Sequence, residues 1–158
     1  MVDYIESHGN AFLAHRLRRS SDRVVDQVGT MLSEMGLDVP PRGASMLLLI
    51  DDQRQIGVVE ISRHLRLSHP LIVRMAREFQ ERGLVNINSD PSDGRRRVLS
   101  PTEKGRREAV ALRDFNSKIG AMFDDVFAEI GAPVSSILDQ FDAALDATPI
   151  SKRLAKLI

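Results

Sequence analysis

The middle third of the chain carries apolar positions that predict two short helices, a β-hairpin and the start of a longer helix, in that order. Val58, Ile61 and Leu65 stand at positions i, i+3 and i+7, which predicts a short amphipathic helix. Because just Arg66 and Leu67 separate it from the next predicted helix, the second helix must turn sharply against the first. This spacing is typical of a helix-turn-helix, although helical hairpins with similar periods also occur in ordinary helical cores.

The second predicted helix begins at a hydroxyl N-cap, Ser68, and stops at Gly83. Its inward face is apolar at helical spacing and consists of Leu71, Ile72, Met75 and Phe79. Its outward face holds the candidate DNA-contacting residues of a recognition helix: Ser68, His69, Pro70, Val73, Arg74 and Arg77. In the major groove an arginine can pair with guanine and an apolar group can contact the thymine methyl. We expect Arg74 and Val73 to make these two contacts.

A strand pattern follows the second helix. Residues 84–88 alternate apolar and polar side chains as a half-buried strand does, and residues 97–100 can return beside them. The connecting residues 89–96 contain Asp-Pro and Asp-Gly, which are turn dipeptides. The sequence therefore predicts a hairpin that carries a run of arginines at and beside its tip.

This hairpin has the charge of a DNA-binding wing. Its candidate DNA-contacting residues are Arg95, Arg96 and Arg97. Arginine can pair with phosphates or enter a narrow, electronegative minor groove. Asp93 lies close enough in sequence to Arg95 to hold the loop's shape by a charge-assisted contact, so we expect Asp93 to be structural. The alternative is a solvated turn whose arginines serve solubility.

Charge is distributed unevenly along a chain that is neutral as a whole, with 22 Lys and Arg against 22 Asp and Glu. Residues 53–107 hold 12 basic and 6 acidic side chains, a net charge of +6, whereas residues 1–52 and 108–158 each have a net charge of −3. Because neutralisation of phosphates dominates affinity for DNA, the local excess matters more than the neutral total.

At these residues the chain resembles the DNA-binding core of MarR-type (multiple antibiotic resistance regulator) transcription factors. The most specific motifs are residues 60–61, 65–68, 82–85, 90–97 and 102–105. The resemblance covers most of the chain and implies a mainly α fold with a small β-hairpin wing, a winged helix-turn-helix with long N- and C-terminal dimerisation helices. It places residues 68–77 on the recognition helix, Asp93 and Arg95 on the wing pair, and Thr102 at the start of a long connecting helix.

Three residues depart from the family's pattern. Gly57 stands where a Ser or Thr cap is usual, Arg66 where the turn often has glycine, and Pro101 where a leucine commonly ends the strand. Glycine can still cap a helix, and a non-glycine residue in a left-handed turn costs about 1 to 2 kcal/mol. None of the three removes an expected DNA contact.

The remaining segments predict long amphipathic helices. Residues 10–35 place six apolar side chains on one stripe before Gly36, and further stripes run from Thr102 to Gly131, from Pro133 onward, and over residues 150–158. The predicted organisation is a single MarR-like domain, 1–158, with a winged helix-turn-helix lobe at 40–105 and a helical dimerisation lobe at 1–36 and 106–158. The family's interlocking terminal helices imply a homodimer that sets two recognition helices about 34 Å apart.

The expected function is that of a sequence-specific double-stranded DNA-binding transcriptional regulator, a repressor that acts as a homodimer on a pseudo-palindromic operator. A small-molecule effector of unknown identity is an expectation from the resemblance alone. The chain shows neither the apolar run of a signal peptide nor the roughly 20 apolar residues of a membrane span, so we expect a cytoplasmic protein that does not bind membranes. A winged-helix module that binds protein instead of DNA is the alternative.

Catalytic and cofactor chemistry is not expected. The chain has no cysteine, which excludes disulfides and thiol switches, and a zinc site would need carboxylates beside its four histidines. His8 and His15 are seven residues apart and can share a helix face, but we expect exposed or capping histidines. The adjacent pairs Asp51-Asp52 and Asp124-Asp125 point in different directions on a helix, so we expect solvated loop and surface residues. An enzyme would need a second domain, for which the chain has no room. We therefore expect no enzymatic activity, no metal and no cofactor.

Overall fold

A computed structural model describes residues 3–90, 93–94 and 96–157. The chain divides into two compact units, Met1–Arg113 and Asp114–Ile158. The first unit contains the predicted winged helix-turn-helix together with the N-terminal helix, which the sequence analysis had assigned to the dimerisation lobe. The mainly helical fold with a small β wing is confirmed.

The N-terminal helix begins later than predicted. A 3₁₀ segment, Glu6–Phe12, leads into α1, Leu13–Glu34. The predicted stop at Gly36 is confirmed, since its φ of 71° lies in the left-handed region and the N–H of Leu37 donates to the carbonyl of Leu32 at 3.0 Å. The predicted apolar stripe of α1 lies exposed or half-buried in the single chain.

The second helix, α2, Ala44–Gln53, has no counterpart in the sequence analysis. A one-turn 3₁₀ segment, Pro41–Gly43, leads into it. Its central residues Met46, Leu47 and Ile50 are fully buried. Because this helix buries side chains around most of its circumference, its sequence is a continuous apolar run without the period of an amphipathic helix. The expectation that Asp51 is a solvated residue is wrong, since Asp51 is buried in α2.

The predicted helix-turn-helix consists of α3, Val58–Leu65, and α4, His69–Glu81. Arg66 turns the chain between them in the left-handed conformation, with φ 52° and ψ 38°. The N–H of Leu67 donates to the carbonyl of Ser62 at 3.1 Å, which closes the end of α3. The interpretation of Arg66 as a non-glycine residue in a left-handed turn is therefore confirmed.

The described strands form a three-stranded antiparallel sheet in the order β1-β3-β2, where the sequence predicted a two-stranded hairpin. The strands are β1, Ile56–Gly57, β2, Val85–Ser89, and β3, Arg97–Pro101. Gly57 pairs with Val98 and Ser89 pairs with Arg97. The additional strand β1 directly precedes α3, so the sheet connects the wing to the helix-turn-helix.

The long helix α5, Glu103–Glu129, starts where predicted. The hydroxyl of Thr102 accepts the N–H of Gly105 at 3.0 Å and donates to the carbonyl of Gly83 at 2.7 Å. The N–H of Thr102 donates to the carbonyl of Leu84 at 3.0 Å. These bonds fix the start of α5 to the end of α4 and the start of β2.

The core of the first unit lies under the helix-turn-helix and the sheet. Its fully buried side chains come from α1 to α5 and from the strands β2 and β3, and include Leu32, Met46, Leu47, Ile50, Ile61, Ile72, Phe79, Leu84, Val85, Leu99 and Leu112. A close-packed core of this kind holds α4 rigidly against the scaffold.

The second unit contains the remainder of α5, then α6, Val134–Ala147, and α7, Ile150–Leu154. Helix α5 ends before Gly131, whose φ is 66°, and the rings of Phe123 and Phe127 stack along it at 5.9 Å. Many apolar side chains of this unit, including Met122, Ile130 and Ile137, are exposed in the single chain. In the described ranges, every helix is too short or too polar to cross a lipid bilayer.

Candidate nucleic-acid interface

Helix α4 has the boundaries of the predicted recognition helix but a different cap. Ser68 occupies the N-cap position in an extended conformation, yet its hydroxyl makes no capping hydrogen bond. The carbonyl of Ser68 accepts the N–H of Ile72 at 3.1 Å, and Pro70 stands in the first turn, where a missing N–H has no cost. The prediction of a hydroxyl cap is wrong, and the exposed Ser68 hydroxyl remains available to a ligand.

The two faces of α4 divide largely as the period predicts. Ile72, Met75 and Phe79 are buried, while Leu71 is half-buried at the edge of the core. The outward residues Ser68, His69, Pro70, Arg74 and Arg77 are exposed and Val73 is half-buried. The structure therefore brings all six candidate recognition residues to one side of the first three turns.

Arg74 and Arg77 present cationic side chains from this face. No carboxylate of residues 3–90, 93–94 and 96–157 lies within ion-pair distance of either guanidinium. Other exposed arginines of the same unit, such as Arg82 and Arg107, are paired within their own helix. An arginine without an internal partner can bond a base edge or a phosphate without first breaking an ion pair.

The wing is closed by backbone hydrogen bonds around Arg96. The N–H of Asp90 donates to the carbonyl of Arg96 at 2.9 Å, and the N–H of Arg96 donates to the carbonyl of Asp93 at 2.9 Å. Across the strands, Arg97 donates from Nη1 to the hydroxyl of Ser89 at 2.9 Å. Arg95 lies outside the described residues, and so does its expected contact with Asp93.

Arg96 has a different environment from the one predicted for a wing arginine. Its Nη2 donates to Oε1 of Glu60 at 3.1 Å, and its Nη1 lies 3.7 Å from a carboxylate oxygen of Asp90. The second oxygen of Glu60, Oε2, accepts the N–H of Gly57 at 2.8 Å and so caps α3. The Arg96 side chain is thus directed to the first turn of α3.

A groove of about 230 Å³ lies between α3, α4 and the wing. Its lining joins two of the predicted recognition residues to two wing arginines and to the start of α3: Gly57, Val58, Val59, His69, Val73, Arg96 and Arg97. Val59, which the sequence analysis did not select, is 51% exposed here. The sequence feature that indicates an exposed role for Val59 is its apolar side chain outside the helical period of α3, directly after Val58.

A second, larger cavity of about 520 Å³ lies on the other side of α4, against α1 and the Pro41–Gly43 segment. Its lining is mostly apolar and includes Val25, Leu71, Met75 and Phe79. Arg74 also lines this cavity, so one side chain belongs both to the outward face of α4 and to the cavity wall.

A polar cluster holds the C-terminal end of α4 in place. Nζ of Lys104 donates to the Asp38 carboxylate at 2.6 Å and to the carbonyl of Arg82 at 2.9 Å, and Arg82 donates to the carbonyl of Asp38 at 2.9 Å. The buried carboxylate of Glu108 accepts the N–H of Asp38 at 3.0 Å. The hydrogen bond from Lys104, with a smaller effect of Arg82, holds the pKa of Asp38 below its ordinary value.

Arg113 joins α5 to the end of α2. Its Nη2 donates to Asp51 at 2.8 Å and to Asp52 at 2.5 Å, and these bonds raise the pKa of Arg113. Asp51 Oδ1 is buried and has no hydrogen-bond partner among the residues that the structure describes. Among the described residues no three His, Asp or Glu side chains are grouped closely enough to hold a metal ion.

Part of this interface is similar to a known family. Residues 42–96, which contain α2, β1, α3, α4 and β2 but not β3, match the model of the MarR family. No curated protein matches the sequence.

Solved structures similar to the whole chain include three regulators. A MarR family transcriptional regulator from Rhodococcus sp. RHA1 is 27% identical, with 87% of this chain and 94% of that chain covered at a TM-score of 0.56. A mutant MarR from E. coli complexed with operator DNA is 17% identical, with coverage of 94% and 100% and a TM-score of 0.64. The transcriptional repressor CouR, bound to a 23-mer DNA duplex, is 24% identical, with coverage of 87% and 96% and a TM-score of 0.64.

Proposed function

We propose that the chain, whose residues 42–96 match the MarR family model, is a transcriptional repressor of this family that binds a pseudo-palindromic operator as a homodimer in the cytoplasm. Similar folds occur in a MarR complexed with operator DNA and in CouR bound to a DNA duplex. In this proposal α4 reads the major groove and the wing lies along the adjacent backbone or minor groove.

The observation that carries the proposal is the exposed outward face of α4. Arg74 and Arg77 project from it, and neither has a carboxylate partner in the described part of the chain. Val73 and Val59 line the groove beside them and supply apolar surface of the kind that contacts thymine methyl groups. The face thus combines charge for phosphates with groups that can distinguish base pairs.

Exposed apolar stripes support the homodimer. On α1 they include Leu13, Leu17, Val24, Met31 and Met35, and in the second unit Met122, Val126, Ile130, Ile137 and Leu138. Exposed apolar area on this scale favours association with another surface. A second copy of the chain is the partner that also satisfies a two-fold symmetric operator.

The cavity beside α4 supports regulation by a small molecule. Its volume of about 520 Å³ suits a small ligand, and its apolar lining with Arg74 at the wall suits an apolar molecule that bears an acceptor or an anionic group. A ligand that bonds Arg74 from the cavity would withdraw this side chain from the DNA-facing surface. Binding of the ligand and binding of the operator would then oppose each other.

The proposal is tested by selecting duplexes from a random library with the purified protein and measuring their affinities. We expect an inverted-repeat motif and two protomers per bound duplex. Arg74→Ala is expected to cost about 1 to 3 kcal/mol on the selected duplex and to relax the preference at one base pair in each half-site. If no duplex is enriched while the protein is folded, DNA binding is refuted and a protein-binding winged helix becomes the better hypothesis.

A further inference from the structure

Glu60 lies at the contact between the wing and the helix-turn-helix and bonds to both. Oε2 accepts the N–H of Gly57 at 2.8 Å, and Oε1 accepts Nη2 of Arg96 at 3.1 Å. Each oxygen of the carboxylate therefore accepts a hydrogen bond from a different element. Arg96 and Glu60 are 36 residues apart, and their contact adds a side-chain link to the β1–β3 pairing between the same two segments.

Arg96 in turn fixes the base of the wing. Its backbone N–H and carbonyl bond to Asp93 and Asp90, and its guanidinium lies 3.7 Å from the Asp90 carboxylate. Two residues later, Val98 pairs with Gly57 in the sheet. A shift of the Arg96 side chain would therefore disturb the wing loop and the strand pairing that leads into α3.

Gly57 belongs to the same arrangement. A Cβ at this position would lie 2.8 Å from Oε2 of Glu60 and 3.3 Å from Nη2 of Arg96. The carboxylate and the guanidinium thus occupy the space that a Ser or Thr cap would fill. A larger residue at this position would have to displace the ends of the Glu60 and Arg96 side chains.

We propose that Glu60 is a positioning residue of the DNA-binding site, which holds Arg96 and the wing in register with α3 and α4. In this role Arg96 fixes the position of the wing, and other cationic side chains of the interface contact the phosphates. The proposal rests on the function proposed above, and it assigns Arg96 a role different from the direct DNA contact expected from the sequence.

The direction in which Glu60→Gln changes the affinity for DNA distinguishes this positioning role from a purely electrostatic one. Glu60 adds a negative charge near the polyanionic duplex, so a Coulombic argument alone predicts that Glu60→Gln strengthens binding. The positioning role predicts the opposite. In glutamine an amide nitrogen replaces one of the two oxygens, and this nitrogen is a donor that cannot accept from Gly57 or from Arg96.

The experiment measures the affinity of full-length variants for the selected duplex by fluorescence anisotropy over a range of KCl concentrations. We expect Glu60→Gln to weaken binding by about three- to fivefold, in keeping with the energy of an exposed ion pair. Glu103→Gln is the matched control, because Glu103 also stands in the first turn of a helix and pairs with an arginine, Arg107, at 2.8 Å. The control is expected to leave affinity unchanged or slightly stronger.

Arg96 variants provide the second readout. Arg96→Ala is expected to weaken binding by a similar factor without changing the dependence of log affinity on log salt, and Glu60→Gln/Arg96→Ala should be no weaker than either single variant. Arg96→Lys keeps the charge but loses the forked donor, so it should also weaken binding. Unchanged circular dichroism and thermal midpoints show that the variants are folded.

Two results would overturn the positioning role. One is a Glu60→Gln protein that binds as tightly as the wild type or more tightly. The other is a salt slope for Arg96→Ala that falls by about 0.9, which is the signature of one lost phosphate contact. Wild-type protein that binds no duplex would instead refute the proposed function itself.

Discussion

Gly105, in the first turn of α5, gives the sharpest prediction about stability. A Cβ at this position would lie 2.0 Å from the carbonyl oxygen of Leu84 and 3.0 Å from its carbonyl carbon. Ordinary contact begins at about 3.4 Å, so Gly105→Ala must separate the two backbones by about 1.4 Å. Because the obstacle is backbone and not a flexible side chain, rotation of a side chain cannot relieve the overlap.

The cost of Gly105→Ala follows from three contributions. Overpacking of a rigid contact costs about 1 to 3 kcal/mol. The same movement weakens the hydrogen bond from the N–H of Thr102 to Leu84, worth about 1 kcal/mol, while alanine recovers somewhat under 1 kcal/mol of helix propensity. We expect a net loss of about 1 to 3 kcal/mol, which corresponds to a fall in Tm of roughly 2 to 12 °C.

Gly120→Ala in the same helix is the matched control. In the described part of the chain, a Cβ at Gly120 meets no atom within 4 Å apart from its chain neighbours and the backbone of its own helix, so alanine should raise the free energy of unfolding by about 0.5 to 1 kcal/mol. Urea denaturation followed by circular dichroism, at one fixed protomer concentration, measures both variants. A Gly105→Ala protein as stable as the wild type would refute the close approach of α5 to Leu84.

Two other substitutions test local features of the fold. Arg66→Gly should raise the free energy of unfolding by about 0.5 to 1 kcal/mol in thermal unfolding, because glycine tolerates the left-handed conformation and the greater entropy of the unfolded chain offsets part of the gain. Arg63→Gly, inside α3, is the control and should lower the free energy of unfolding by about 1 kcal/mol. Equal effects of the two substitutions would contradict the turn geometry. Asp38→Asn should lower the free energy of unfolding at neutral pH. The difference in this free energy between variant and wild type should shrink as the pH falls below 3.8, the ordinary pKa of this carboxyl. The reason is that a carboxylate whose pKa is lowered in the folded state stabilises that state until it is protonated. Urea midpoints measured from neutral pH down to about pH 3 check this, and a difference that stays constant would refute the ion pair's contribution.

The sequence predicted well the elements whose signals are local. The period and the glycine stop of α4 lie within one or two helical turns of the residues that they organise. The start of α5 at Thr102 was expected from the family resemblance. The sharp turn between α3 and α4 was likewise indicated by the short spacing between two helical periods, whereas the left-handed position of Arg66 was expected from the family resemblance. Such features are set by neighbouring residues and can be recognised without knowledge of the tertiary structure.

Features that depend on distant residues were missed. Helix α2 has no amphipathic period because it is buried on most sides, and β1 is a two-residue strand that exists through its pairing with β3. The wing's Arg95, Arg96 and Arg97 were treated alike, yet Arg96 pairs with Glu60 on α3. A sequence pattern gives the charge of such a side chain but does not give its partner.

The salt dependence of specific DNA binding tests the central claim most directly. We propose to measure the affinity of the wild-type protein for the selected duplex and for a scrambled duplex at about 50 and 200 mM KCl. The account predicts preference for the selected duplex at both concentrations and a loss of affinity of at least about 100-fold between them, because several phosphate contacts release counterions. Equal affinity for the two duplexes, or affinity that does not change with salt, would contradict an interface built from the cationic face of α4 and the wing.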